Sequence, residues 1–308
     1  MSQGSLKAHA SLFFVNALYA ASHLIAKGVM PAYLSPNVFI AMRVVGATTL
    51  FWIIKHSFFA EIQIDKKDFV LLAFCGLFGV AINQLFFFHG LNLSSSINSG
   101  IIMTLNPIMV SILAFFLLKE SFTLLKTIGI LLGATGAVLL TLTAGTGVGD
   151  SLLGDAFLFI NALSYALFLV LVKPLMVKYS PLVVITYVFT FGTAFVLLFP
   201  PTWIDLLQTN FSTIPSEIWL KIAYVIIGVT FLAYLLTVFS LKQLSASVSS
   251  TYIYFQPVLV ILFAFLFAKT GLSEDYTKTI SFEKVMYMIL IFIGVSLVVQ
   301  PKRAKLKN

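Results

Sequence analysis

Asn16, Ala20, His23 and Lys27 follow one another at spacings of four, three and four, so they share one face of a helix within an apolar run. A His and a Lys are costly in hydrocarbon and usually face a cavity or a partner. One reading gives His23 and Lys27 an anionic group to meet or a proton to relay; the other lets Lys27, near the segment's end, snorkel to the headgroups. Arg43 lies about 10 Å into the next apolar run at 1.5 Å per residue. Its guanidinium cannot shed its charge. Three outlets fit: a carboxylate or phosphate held bidentately, carbonyls at a helix end, or snorkelling outward. Ser95, Ser99, Ile102 and Asn106 form a further polar face, and Ser245, Ser249, Tyr252 and Gln256 form another with the same spacing. Such residues suit a neutral hydrogen-bonding surface, or simply close helix contact by small serines. Pro107 and Pro257 follow Asn106 and Gln256, and each removes a backbone donor, expected to kink the helix and free a carbonyl one turn earlier. Asn83, Gln84, His89, Tyr165 and Tyr234 complete the cavity candidates, with belt positions near the membrane surface as the alternative for the tyrosines.

The elements that hold these residues must live in lipid. Of 308 residues, 60% are hydrophobic and only 10% charged, where a soluble domain carries about 25% charged residues. Apolar segments of membrane-spanning length run at roughly 11–31, 37–58, 69–90, 96–118, 124–143, 152–173, 181–200, 217–241, 245–268 and 284–300. The expected fold is an all-α membrane protein of ten transmembrane helices. With the N-terminus placed inside, the inner segments hold thirteen Lys and Arg and the outer ones five, so both termini are expected to be cytoplasmic in a plasma-membrane protein. The first run lacks a small-residue cleavage site and reads as a retained helix. The net charge of +8 sits in these short segments rather than in a basic fold, against nucleic-acid binding, and the lone Cys75 excludes a disulfide framework.

The chain also resembles itself. FVNAL (14–18) recurs as FINAL (159–163), and 16–30 aligns with 161–176 through one inserted residue. Ser35–Pro36 matches Ser180–Pro181, and 90–107 aligns with 240–257 without a gap. Five helices per unit is odd, so the second unit enters from the opposite side, giving an inverted repeat of 1–145 and 150–308, a construction common in secondary transporters. Two units of this kind, each with a Pro late in the fourth helix, Lys119–Glu120 after that helix in the first, Gly129 to Gly136 in the fifth and Gly154–Asp155 opening the sixth, resemble the paired EamA domains of the drug/metabolite transporter superfamily. The second unit departs from the pattern, with Lys269–Thr270 in place of Lys119–Glu120. The resemblance implies a ten-helix inner-membrane carrier with a cavity lined by helices one to four and six to nine.

All eleven acids fall in loops or at segment ends, against a carrier for hydrophobic cations or an acid-based proton exchanger. No Walker loop, H-E-x-x-H or Cys cluster appears, against ATP-driven pumping and metal-dependent proteolysis, and no cofactor is expected. The expectation is therefore a secondary transporter for a small anionic or zwitterionic metabolite, such as an amino acid, with protons as a candidate coupling ion. An uncoupled facilitator for a neutral metabolite is the alternative within the class; a non-transporting scaffold or enzyme is the alternative outside it. Gly129-x-x-x-Gly133 favours close helix contact, inside the chain or between two copies as a homodimer.

Overall fold

A computed structural model describes residues 3–25, 29–58, 64–94, 102–121, 123–142, 151–269 and 282–299. Among them the chain is helical, without a strand: α1 (Gln3–Ile25), α2 (Pro36–Phe58), α3 (Asp68–Leu93), α4 (Asn106–Leu118), α5 (Leu124–Leu142), α6 (Leu152–Val172), α7 (Pro181–Leu198), α8 (Pro200–Gln208), α9 (Ser216–Gln243), α10 (Ala246–Thr251), α11 (Gln256–Lys269) and α12 (Phe282–Val299). The helices containing Pro36–Ser57, Asp68–Leu93, Leu152–Lys178, Pro181–Leu198, Ser216–Gln243 and Phe282–Val299 are long and apolar enough to cross a membrane, and Asn106–Leu118 and Leu124–Leu140 are shorter apolar helices. Six helices of that length and composition mark a multi-pass membrane protein.

Helix starts follow local chemistry. Ser151 and Ser180 cap α6 and α7, accepting from the amides of Gly154 and Val183, and Pro181 opens α7 where a missing amide costs nothing. The helix α1 begins eight residues before the apolar run, because Ala8 is fully buried and its carbonyl accepts the Ser240 hydroxyl at 3.0 Å.

Two irregularities recur at one spacing. The offset of 150 residues that takes Gly90 to Ser240 takes Leu77–Ile82, a π-helical stretch of α3, onto 227–232, inside the π-helical stretch Val225–Leu232 of α9. It also takes Asn106, where α4 begins after the turn at Thr104–Leu105, to Gln256, where α11 begins after the 3₁₀ turn Tyr252–Phe255. Pro107 and Pro257 therefore stand in first turns after a helix break, rather than at a bend within a continuous helix.

Side-chain contacts sort the helix ends into two groups. At one end Lys178 Nζ meets both carboxylate oxygens of Asp68 at 2.9 Å, Lys173 donates to the carbonyls of Leu241 and Leu244, and Glu120 accepts from the Ala246 amide at 2.8 Å and the Ser247 hydroxyl at 2.7 Å. At the other, Ser94 donates to Asp155, and Asp205 accepts from Ser35 at 2.6 Å and Asn37 at 3.0 Å. Because α6 runs from Asp155 to Lys173, the C-terminus of α3 and the C-terminus of α9 lie at opposite ends of it. Helices α3 and α9 therefore run in opposite directions.

The glycines of α5 serve this chain's own packing. A Cβ on Gly129 would stand 2.7 Å from the Gly294 carbonyl of α12, and one on Gly294 would stand 2.5 Å from the Gly133 amide. The surface expected to serve either packing or a homodimer is thus covered by α12.

Candidate functional site

Arg43 is 6% exposed on α2, one turn after Phe39. Its guanidinium carbon lies 5.5 Å from the Phe39 ring centre and 4.8 Å from that of Phe88 on α3, the two rings meeting edge-on at 89°. Its Nε donates to Thr230 Oγ1 at 3.1 Å, and that hydroxyl donates to the Val225 carbonyl five residues back at 2.9 Å. A five-residue reach is what the π-helical stretch of α9 supplies, so the irregular turn positions the one acceptor that Arg43 has among the described residues. A guanidinium carries five N–H donors and no acceptor. Among the described residues the remaining four find no hydrogen-bond partner, and the three ion pairs, Lys67–Asp65, Lys126–Glu120 and Lys178–Asp68, all lie elsewhere.

Tyr234 of α9 stands beside it. Its hydroxyl shares one proton between the Gly79 carbonyl at 2.9 Å and Asn83 Oδ1 at 3.2 Å, and its ring meets Phe189 edge-on at 4.9 Å. Gly79 makes room for the neighbouring Phe168: a Cβ there would fall 2.4 Å from that ring. Tyr19 of α1 and Tyr165 of α6 complete the group, within electrostatic reach of one another, of Tyr234 and, for Tyr19 and Tyr234, of Arg43. Gln84, only 3% exposed, lies against the Tyr234 hydroxyl, yet neither its Oε1 nor its Nε2 makes a well-directed hydrogen bond. What converges here is one unneutralised cation, three phenols and an unsatisfied amide. That arrangement suits an anion carrying a further polar group.

Most other candidates make protein contacts, although Asn106 Oδ1 is buried without a partner. Asn106 donates from Nδ2 to the Ala162 carbonyl at 2.9 Å and Gln256 donates from Nε2 to Asn16 Oδ1 at 2.9 Å. Each amide thus ties the helix after a break to the first helix of the other half. Next to Ala162, Asn161 donates to the Asn83 carbonyl at 2.6 Å. His89 Nε2 meets Asn37 Oδ1 at 2.9 Å, which requires the proton on that nitrogen, and Asn37 passes the chain on to Asp205. Tyr252 meets His9 Nδ1 at 2.7 Å, and Ser249 is buried with its hydroxyl unpartnered. Lys27, Ser95 and Ser99 lie outside the described residues, as does the His23 side chain. Sequence reading overlooked Thr230, Phe39, Phe88 and Tyr19. Only Tyr19 carried a signal, since the one-residue insertion in the repeat aligns it with Tyr165. No three His, Cys, Asp or Glu side chains gather as metal ligands among the described residues.

The model of the EamA-like transporter family matches residues 7–142 and again 152–300. The uncharacterized transporter YyaM of Bacillus subtilis is 30% identical over 210 residues, 67% of each chain. A second B. subtilis uncharacterized transporter, YetK, is 27% identical across 83% of this chain and 78% of its own. A WAT1-related protein of Arabidopsis thaliana is 25% identical across 88% of this chain and 80% of its own. A solved protein structure superposes with a TM-score of 0.74 over 96% of this chain and 98% of its own, at 19% identity, a likeness of fold. With two matches that between them span nearly the whole sequence, the chain belongs to the EamA-like transporter family.

Proposed function

We propose that this protein is a secondary transporter that moves a small anionic or zwitterionic metabolite across the cytoplasmic membrane by alternating access. Its ten transmembrane helices would form two inverted five-helix units, 1–145 and 150–308, with both termini in the cytoplasm and protons as a candidate coupling ion. Support for the inverted units comes from the antiparallel courses of α3 and α9 and from π stretches and helix breaks at one offset. The end carrying Lys119, Lys126, Lys173, Lys178 and Lys242 is the basic, cytoplasmic one on this reading.

The observation that carries the substrate class is Arg43. A buried guanidinium without a carboxylate is expensive, and two aromatic faces at about 0.5–2 kcal/mol each offset only part of that cost. An incoming carboxylate would use the idle donors and remove the deficit. Uptake of labelled carboxylates and amino acids into proteoliposomes, with and without a pH gradient, tests the reading. Arg43→Gln should weaken apparent affinity by roughly 2–5 kcal/mol, and Arg43→Lys should recover only part, because a point charge lacks the planar fork. Lys substituting freely, or Gln affecting only expression, would leave Arg43 as a structural residue and return the protein to the facilitator reading.

A further inference from the structure

The repeat offset that aligns the π stretches takes Gln84 to Tyr234, and these two side chains lie against each other. Residues exchanged by a two-fold axis can touch only where they straddle that axis. Tyr19 and Tyr165, also repeat partners, come within electrostatic reach of each other near the same axis. Two pairs therefore mark the centre of the molecule, contributed equally by both halves. Arg43 breaks the symmetry. The offset that takes Ser35 to Ser180 takes Arg43 to Val188, a buried apolar residue. The centre thus offers one cation, on one side of the axis, and neutral hydrogen-bonding groups on it.

No acid among the described residues faces this group, so an ammonium on the cargo would be left without a counter-charge, and the two rings nearest Arg43 are already engaged by the guanidinium. Gln84 can both donate and accept, yet against Tyr234 neither of its polar atoms makes a well-directed hydrogen bond, and a poorly paired buried polar group is a standing cost that a ligand removes. In the conformation described its amide is sealed from solvent, so binding a cargo would require it to rotate as the helices open. Resting on the carboxylate reading of Arg43 above, we propose that the cargo is a small monocarboxylate bearing one hydroxyl, with its carboxylate at Arg43 and its hydroxyl read by Gln84 and Tyr234 on the axis. Gln84 is then the residue that sets specificity, choosing a hydroxy acid over both the plain acid and the amino acid.

The test uses the purified full-length carrier in detergent and follows ligand-dependent thermal stabilisation. Glycolate, lactate, 3-hydroxybutyrate and 4-hydroxybutyrate are each compared with the carboxylate lacking the hydroxyl and with the amino acid carrying an ammonium in its place. At least one hydroxy acid should act at about a tenfold lower concentration than both of its analogues. Gln84→Leu should collapse the preference for that hydroxy acid over its plain carboxylate to within about twofold. If Gln84→Leu does not fold, Tyr234→Phe, which deletes only a hydroxyl, should narrow the same preference. Equal action of the plain carboxylate or the amino acid on the wild-type protein, with Arg43→Gln still abolishing it, overturns the inference and spares the carboxylate reading. Stabilisation by none of the carboxylates, or stabilisation indifferent to Arg43→Gln, overturns both.

Discussion

Arg43 and Thr230 are 187 positions apart in the chain, yet the Nε–Oγ1 bond between them is the only protein hydrogen bond described for this guanidinium. A hydrogen bond to a charged group contributes roughly 1.5–3 kcal/mol, and losing one partner leaves the other desolvated. Thr230→Val, which keeps the shape, should therefore lower thermal stability in detergent by an amount in that range. In an Arg43→Gln background the same change should cost much less, because the two residues act as a unit. Equal losses in both backgrounds would mean that Thr230 serves only the Val225 carbonyl. Residue type alone made Arg43, Tyr234 and Asn83 legible, since an ionisable or polar group in hydrocarbon must find a use. Phe88 and Thr230 were not legible, because their role depends on which helices meet. Asn106 and Gln256 show the converse limit: the pattern identified a matched polar pair, but pattern says nothing of the carbonyl or amide already standing opposite each one.

Helix ends carry more of this fold than the amphipathic faces do. Glu120 follows α4 and satisfies the first turn of α10 in the other half, accepting from the Ala246 amide and the Ser247 hydroxyl while Lys126 stands 3.3 Å away. A carboxylate at a helix N-terminus meets both its free amides and its dipole. The second unit has Thr270 at the corresponding position, and its acids come later, at Glu274 and Asp275. On the alternating-access reading, Glu120 would favour the conformation in which this end is closed. Removing it with Glu120→Ala should release about 1–2 kcal/mol of that bias, a five- to thirtyfold rise in the open population. A cysteine placed at Ser250, now 4% exposed, should then react correspondingly faster with a hydrophilic thiol reagent applied from that side. An unchanged rate in a folded variant would show that other contacts, such as Lys178 with Asp68, keep this end shut. The sequence disclosed Lys119–Glu120 as a unit but not its target. It disclosed neither π stretch, because their apolar residues read the same in either helix type.

For the whole molecule, sequence carried the class and most of the order: apolar runs of spanning length, short basic connections and a self-match at fixed offsets. The self-match was readable because a handful of non-apolar residues, such as Asn16 with Asn161 and Ser35–Pro36 with Ser180–Pro181, interrupt helices whose apolar residues are otherwise interchangeable. The α1 start and the breaks before α4 and α11 were not readable, because contacts such as Ser240 with Ala8 set them. Direction is the property on which the architecture stands. If the units are inverted, the C-termini of α3 and α9 face opposite compartments although their sequences align. Cysteines introduced singly at Leu93, Lys119 and Lys242, all exposed, make this measurable in sealed cells, and the native Cys75, fully buried, adds little background. A membrane-impermeant maleimide added outside should label the cysteine at Leu93 and spare those at Lys119 and Lys242, which become reactive only after permeabilisation. Labelling of Lys242→Cys from the same side as Leu93→Cys would make α3 and α9 parallel. That result would remove the two-fold axis, and with it the geometric reason for expecting Gln84 and Tyr234 at the centre of the transport path.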